Sequence, residues 1–371
     1  MTAISLAGRG AVTAFGRGVD VLMEGILEGR SALSEPARLK QDGGPARVAG
    51  VLPGELVEEA GGAAELPFQM ACWAAEEALA EAGRPARSAL GLVLASTKAD
   101  LSGVTGPGSG FGSSFRLLSR LAPALSIGGP RLAVSCACAS GLSAIAVARR
   151  WLRAGRARRV LVVGVDALSE FILRGFGGLL ALDERACRPF DRTRSGLSLG
   201  EGAGALLFST VPGESLGVEL AGAGESTEAH HLTGPSREGA GLELAARRAL
   251  AAAGLSPASI DYLHLHGTGT PYNDAMEGQA LSRLFRGASP PASGTKRQIG
   301  HTLGAAGAIE ALITAEVLLR GLAPGNLGLE ESDVDAGLTL LRAPARLKRA
   351  GAALKVCGGF GGINAAVVWT R

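Results

Sequence analysis

The sequence contains few aromatic residues, no excess of charge of one sign and no long apolar run. Aromatic residues make up only 4% of its 371 positions, so the core must consist mainly of Ala, Leu and Val. The net charge of +3 is too balanced to favour nucleic acid as a partner. No stretch reaches about 18 uninterrupted apolar residues, and residues 1–12 lack the charged leader of a signal peptide. We therefore expect a soluble cytoplasmic protein with no membrane segment.

Cysteine is also scarce, with five residues at positions 72, 136, 138, 187 and 357. The odd count argues against a disulfide framework, and the absence of a CxxC pair argues against a zinc site. His264 and His266 are the nearest approach to metal-ligand spacing, but a third ligand is missing and His264 is expected to face the opposite way. The sequence therefore predicts no bound metal.

Glycine is abundant instead, at 56 residues or about twice its usual share, which predicts many tight turns. The segments 74–83 and 245–254 are near copies, each followed by a proline-containing turn and an apolar strand. In both halves a glycine-rich loop then leads into a second helix, 142–154 or 308–320, and later into another apolar strand. The matching order favours duplication of a βα unit over chance similarity of Ala-rich helices.

This pattern predicts an α/β fold made of two βα halves, residues 1–210 and 211–371, that share an interface. The segment 34–64 is rich in glycine, proline and charge, and we interpret it as a surface excursion. Functional loops are expected at the carboxyl ends of the parallel strands.

Residues 133–142 combine an apolar run, two cysteines and small residues that lead into a helical pattern. They predict a strand, a turn and a helix with a thiol at its start, where backbone N–H groups and the helix dipole stabilise a thiolate or an oxyanion. Strand alternation would place Cys136 and Cys138 on one face, and both could be buried structural cysteines. We favour Cys138 because it lies nearer to the Ala-Ser-Gly turn.

All five histidines lie in the second half, and two of them stand in loops of glycine and threonine. His266 follows an apolar strand and begins the run HGTGT, whereas His301 precedes a glycine-rich loop that opens a helix. One such histidine is often only a structural hydrogen-bonding residue, but two at equivalent loop ends favour an active site. Thr268 and Thr270 either line a channel for a long polar arm or cap the next turn.

Two further features accompany the histidine loops. Glu310, on the helix after His301, is positioned to pair with Lys296. The glycine-rich run 358–364 surrounds Phe360 and allows a close backbone approach, either as a simple turn or as a gate.

Together these motifs resemble those of the β-ketoacyl-[acyl carrier protein] synthases, the ketosynthases of fatty acid and polyketide assembly, which share the thiolase fold. The resemblance covers nearly the whole chain and implies a layered α-β-α-β-α architecture. The matching motifs are residues 136–141, HGTGT at 266–270, Lys296 with Gly-His-Thr at 300–302, the loop around Phe360, and the shorter runs 175–177, 189–191 and 200–204.

The resemblance implies that Cys138 accepts an acyl group from the phosphopantetheine arm of an acyl carrier protein. Malonyl carrier protein would then be decarboxylated beside His266 and His301 to a carbanion, which attacks the thioester and gives a 3-oxoacyl product two carbons longer. No bound cofactor is implied, since the arm carries the substrates. The other implied roles are oxyanion donors in the backbone of Cys138 and Phe360, an orienting pair in Lys296 and Glu310, pantetheine contacts in Thr233, Thr268 and Thr270, and acyl-pocket or gate residues in Phe176 and Phe360.

The chain departs from the family between Ser96 and Cys138, where the connection is shorter than expected. That region helps to build the dimer interface and the acyl pocket, so both a homodimer and a heterodimer with another ketosynthase-like chain stay open, as does acyl chain length. Two rival functions are an acyltransferase that does not condense and a partner subunit of such a heterodimer. The arginine-rich stretch 149–159 is either a docking site for an acidic carrier protein or a solvated helix end.

Overall fold

The computed structural model describes residues 2–39, 48–99, 113–334 and 337–371. Its helices are α1 (Val19–Leu27), α2 (Gly54–Glu59), α3 (Leu66–Glu81), α4 (Ser114–Ala124), α5 (Ser140–Arg153), α6 (Glu170–Gly178), α7 (Ala240–Ala253), α8 (Pro271–Phe285), α9 (Lys296–Ile299) and α10 (Ala306–Arg320). Its strands are β1 (Ser5–Thr13), β2 (Gly16–Arg17), β3 (Leu33–Ser34), β4 (Ala49–Gly50), β5 (Gly91–Ala95), β6 (Arg131–Val134), β7 (Arg159–Asp166), β8 (Gly202–Ser209), β9 (Glu219–Thr227), β10 (Tyr262–His264), β11 (Pro291–Ser293), β12 (Leu322–Ala323), β13 (Thr339–Leu340), β14 (Ala345–Arg346), β15 (Ala352–Gly359) and β16 (Ile363–Thr370).

The two halves repeat one sheet topology. The first half contributes the order β6-β5-β7-β8-β1 and the second half the order β11-β10-β15-β16-β9. When the five strands named for each half are numbered along the chain, both orders read third, second, fourth, fifth and first. Parallel pairing joins β5 to β6 and β7, and it joins β10 to β11 and β15 in the same way. The repeated order confirms the predicted duplication, while the boundary at residue 210 stays a prediction.

The strands and helices form five layers. Helices α3 and α4 cover the outer face of the first half, and α7 and α8 cover the outer face of the second. Helices α5 and α10 lie between the two sheet halves and pack on each other and on strands of both. The sheet halves meet where β1 pairs with β9 at Ser5 and Glu219. The predicted α-β-α-β-α architecture is therefore present.

The central helices approach each other through glycine. A side chain at Gly141 in α5 would place its Cβ atom 2.3 Å from the backbone nitrogen of Ala308 in α10, and one at Gly307 would lie 2.6 Å from the nitrogen of Leu142. Real Cβ contacts are never this short, so only glycine permits this spacing at both positions. This contact brings the starts of both helices together.

The segment 34–64 differs from the predicted surface excursion. Leu39, Leu52 and Ala60 are buried, and the Leu52 N–H group donates to the buried Glu201 carboxylate at 2.9 Å. Residues 40–47 of this segment lie outside the described residues, as do residues 100–112 of the shortened connection before Cys138. None of the described helices is long and apolar enough to cross a membrane.

Candidate active site

Cys138 lines a cavity from the turn between β6 and α5. Strand β6 ends at Val134, and Ala137 adopts a left-handed conformation with φ of 49°. The turn breaks the strand alternation that was expected to place both cysteines on one face. As a result Cys138 is buried and lines the cavity, whereas Cys136 is partly exposed and packs at the edge of the core.

His301 approaches this thiol from the loop before α10. Its Nε2 atom lies 3.0 Å from the Sγ atom of Cys138. Its Nδ1 atom accepts the backbone N–H group of Leu303 at 3.3 Å. A neutral imidazole whose Nδ1 atom accepts a hydrogen bond carries its proton on Nε2. His301 therefore donates toward Cys138.

His266 stands beside His301 at the end of β10. The two rings meet edge to face, with centroids 5.3 Å apart. The Lys296 ammonium donates to the His266 carbonyl oxygen at 2.6 Å and to its Nδ1 atom at 3.3 Å. This contact places the proton of His266 on Nε2, as in His301.

Two buried carboxylates hold the HGTGT loop. Glu277 accepts the backbone N–H groups of His266 and Gly267 at 2.5 and 2.8 Å, and Asp274 accepts those of Thr268 and Gly269. Burial raises the pKa of the Glu277 carboxyl to about 7, against the lowering effect of these N–H donors. Both carboxylates come from α8, so the loop is fixed to the helix that follows it.

Glu310 lies between two buried lysines. Its Oε1 atom contacts the Lys296 ammonium at 2.5 Å, as the sequence predicted, and its Oε2 atom contacts the Lys355 ammonium at 2.6 Å. Burial acts to lower the pKa of Lys296, but Glu310, together with Cys357 and Glu277, acts in the opposite direction and the pKa is raised. Burial and the neighbouring Lys296 lower the pKa of Lys355.

The electrostatic surroundings keep both imidazoles neutral. Burial, followed by the positive charge of Lys296, lowers the pKa of His266 and of His301 well below 6.5. Burial also raises the pKa of the Cys138 thiol, while Lys296 and the backbone N–H group of Phe360 act in the opposite direction. Burial therefore opposes the thiolate that the helix start was expected to stabilise. The site presents a thiol beside two N–H donors.

The cavity above Cys138 has a volume of about 470 Å³. The Phe176 ring stacks on that of Phe360, with centroids 5.8 Å apart and planes inclined by 22°. The hydroxyl groups of Thr268 and Thr270 lie 2.9 Å apart. The predicted site residues that line this cavity are Cys138, Phe176, Thr233, His266, Thr268, Thr270, His301 and Phe360. Lys296 and Glu310 lie behind it.

Cys138, His266 and His301 also form a candidate metal cluster, since their ligand atoms lie within 4.8 Å of one another. The donor set does not suit a cation. A metal would need the Nε2 lone pairs, whereas Leu303 N–H and the Lys296 ammonium donate to the Nδ1 atoms and keep the protons on Nε2. This hydrogen bonding opposes a metal, whose absence stays a prediction.

Sequence reasoning missed several residues of the site. Lys355 is a charged residue within an otherwise apolar strand, and that position was a usable signal. Cys357 lies two positions further on, and its Sγ atom donates to the Cys138 carbonyl oxygen at 3.2 Å. Asp166 accepts the Gly304 N–H group at 2.7 Å and the Thr97 hydroxyl at 2.8 Å. No motif marked Cys357 or Asp166, since their roles depend on distant partners.

The arginine-rich stretch is largely engaged within the chain. Arg150 pairs with Glu225 at 2.7 Å, and Arg159 pairs with Glu214 at 2.5 Å. The Arg149 guanidinium donates to two backbone carbonyl oxygens. These contacts favour the interpretation as a helix end over that as a docking site.

The chain is similar to known proteins along its whole length. The family model "Beta-ketoacyl synthase, N-terminal domain" matches residues 1–211, and "Beta-ketoacyl synthase, C-terminal domain" matches residues 218–330. The 3-oxoacyl-[acyl-carrier-protein] synthase 2 of Rhizobium meliloti (strain 1021) is 31% identical over 100% of this chain and 99% of that protein.

Solved structures agree with this similarity. A β-ketoacyl synthase from Burkholderia phymatum STM815 has a TM-score of 0.88 and 27% identity, covering 100% of both chains. A ketosynthase in complex with its chain length factor, from Xenorhabdus doucetiae, has a TM-score of 0.85 and 27% identity over 100% of this chain and 98% of that one.

A buried cysteine beside two neutral imidazoles, set in a duplicated five-layered fold, defines an enzyme of the thiolase-like class. More narrowly, the chain belongs to the β-ketoacyl synthase family. It is a condensing enzyme of fatty acid or polyketide synthesis.

Proposed function

We propose that the enzyme is an acyltransferase that loads an acyl group on Cys138 and condenses it with malonyl carrier protein. The observation that carries this proposal is the convergence of the Cys138 thiol with two imidazoles that direct N–H groups into one cavity. In this proposal Cys138 carries the acyl group, and the two imidazoles together stabilise the enolate.

In the first half-reaction the Cys138 sulfur attacks the carbonyl carbon of an acyl thioester. The bond to the pantetheine sulfur breaks, and the cysteine proton passes to that leaving sulfur. The backbone N–H groups of Cys138 and Phe360 are the proposed donors to the oxyanion of the tetrahedral intermediate. Support for the role of Phe360 comes from its backbone N–H group, which acts to lower the pKa of the Cys138 thiol.

In the second half-reaction malonyl thioester loses carbon dioxide, and the electron pair of the broken C–C bond forms an enolate. The Nε2–H groups of His266 and His301 donate to its oxygen, which two neutral imidazoles can do without a metal. The enolate carbon then attacks the carbonyl carbon of the acyl group on Cys138, and the cysteine sulfur leaves as a thiolate that takes up a proton from water. The product is a 3-oxoacyl thioester extended by two carbons.

The partners follow from this chemistry. Thr233, Thr268 and Thr270 line the cavity and are the proposed contacts of a long polar pantetheine arm, which would belong to an acyl carrier protein. The stacked pair of Phe176 and Phe360 is the proposed wall and gate of the acyl pocket. Assembly is either a homodimer or a heterodimer, and the similar ketosynthase from Xenorhabdus doucetiae is in complex with its chain length factor.

Intact-mass measurement after incubation with a panel of acyl carrier proteins tests the loading step. Cys138→Ala should abolish the acyl adduct, whereas the matched control Cys136→Ala should retain it because Cys136 does not line the cavity. An adduct mapped to Cys136 would refute the assignment.

A Cys138→Gln variant tests the second half-reaction separately. It should still release carbon dioxide from malonyl carrier protein, because His266 and His301 are intact. If the native enzyme transfers acyl groups but neither decarboxylates nor elongates, the chain is a transferase that does not condense.

A further inference from the structure

Lys355 is a fully buried lysine that the reaction described above does not use. It lies on β15, and its ammonium contacts Glu310 Oε2 at 2.6 Å and the carbonyl oxygen of Leu265 at 3.0 Å. Leu265 directly precedes His266. The Lys296 ammonium holds the carbonyl oxygen of His266 itself. Two different lysines therefore hold the backbone carbonyl groups of the consecutive residues Leu265 and His266.

The strand geometry explains how Lys355 reaches this position. Strand β15 pairs in parallel with β10, with Lys355 opposite His264. Side chains two positions apart on a strand share a face, so Lys355 and Cys357 point the same way. Cys357 contacts His266 Nδ1 at 3.4 Å and the Cys138 carbonyl oxygen at 3.2 Å. The face of β15 that carries Lys355 is therefore the face that supports the site.

Because Lys355 is buried, its positive charge affects the ionisable groups around it. A buried ammonium is costly unless it is paired, and Glu310 is its acidic contact. Glu310 also pairs with Lys296, so this cluster holds two lysines and one carboxylate. The ionisable groups that act on Lys355 or respond to it are Glu310, Lys296, Cys357, Glu277, His264, His266 and His301.

We propose that Lys355 is a positioning residue of the active site, whose ammonium fixes Glu310 and the Leu265 carbonyl and so sets the orientation and charge balance of His266. The positive charge opposes protonation of the two imidazoles and lowers the pKa of each. His266 thereby keeps the N–H donor that the proposed decarboxylation requires. Only the catalytic consequence of this inference rests on the proposed function.

Histidine NMR tests the proposal without any substrate. The chain has only five histidines, so ¹⁵N-resolved titration can follow each ring. In Lys355→Met the protonation midpoint of His266 should move to higher pH, because a nearby positive charge is removed. The exposed Lys348→Met variant is the matched control and should leave every midpoint unchanged.

Activity gives a second readout. Decarboxylation by Lys355→Met should fall by up to about 10²-fold, the cost typical of a misplacement of about 1 Å at a reacting group, and its acid limb should move to higher pH. If Lys355→Met does not fold, Lys355→Met/Glu310→Gln is compared with Glu310→Gln, and the His266 midpoint should again be higher in the variant lacking Lys355.

Two results would overturn the proposal: an unchanged His266 midpoint when Lys355 is removed, or lost activity with no change in the pH profile. A wild-type enzyme that fails to decarboxylate would refute the proposed function, yet a shifted His266 midpoint would still support the role of Lys355.

Discussion

The Nε2 atom of His301 lies 3.0 Å from the Sγ atom of Cys138, although 163 positions separate the two residues. The contact exists because α5 and α10 meet at glycine residues close to the two loops. In the proposed mechanism the same N–H group faces the cysteine sulfur and then the enolate oxygen. The distance between these helix starts therefore sets how close His301 lies to the cysteine that carries the acyl group.

Decarboxylation should persist on the acid side of pH 6.5. A solvent-exposed imidazole becomes protonated near that pH, whereas burial and Lys296 lower the pKa of His266 and His301 well below it. Both N–H donors therefore stay neutral as the pH falls. Carbon dioxide release by Cys138→Gln, measured from pH 5 to 8, should give an acid limb with a midpoint below about 6.5. A midpoint above that value would contradict neutral resting imidazoles.

Removing one imidazole should impair the second half-reaction more than the first. His301→Ala should slow decarboxylation by about 10²–10³-fold, the usual effect of losing one oxyanion donor. The His230→Ala control should not, since His230 is exposed and outside the cavity lining. Carbon dioxide release and acyl loading, measured separately, report the two effects. Equal losses in both would instead indicate a general structural defect.

Glu277 should make the protein less stable as the pH rises. Its pKa is about 7 in the folded protein against 4.5 as the ordinary value, so between these pH values the folded state holds a proton that the unfolded state has lost. The contribution of Glu277 to the free energy of unfolding is fully present below pH 4.5 and declines by about 3 kcal/mol between pH 4.5 and pH 7.

Urea unfolding of wild type and Glu277→Gln at several pH values measures this contribution. The free energy of unfolding of wild type, minus that of the variant, should fall over the same pH range. Histidine contributions occur in both proteins and largely cancel in the difference. A difference that rises with pH would show that Glu277 is ionised in the folded state.

Gly141→Ala should both destabilise the fold and separate the catalytic residues. The new Cβ atom would lie 2.3 Å from the backbone nitrogen of Ala308, so α5 and α10 must move apart. Overpacking of this kind costs about 1–3 kcal/mol. Gly54→Ala is the control, since a Cβ atom there has no neighbour within 4 Å. Unfolding free energy and the rate of elongation should both fall for Gly141→Ala, and a loss in neither would contradict the close contact.

Much of the fold was predictable because local signals agree with the tertiary structure. The helices predicted at 142–154 and 308–320 are observed as Ser140–Arg153 and Ala306–Arg320. Both belong to repeated units whose apolar pattern and glycine stops are visible without coordinates. The segment 34–64 was less predictable, since its buried residues depend on a partner as distant as Glu201.

By itself the sequence determined the duplication, the thiol before a helix and the two histidine loops, because each depends on residue types within short stretches. It also determined the pairing of Lys296 with Glu310, which lie on neighbouring elements. Only the tertiary structure decided which cysteine faces the cavity, since this follows from the left-handed turn at Ala137. It also decided the place of Lys355, because a lysine in an apolar strand has a role only once Glu310 and the Leu265 carbonyl are beside it.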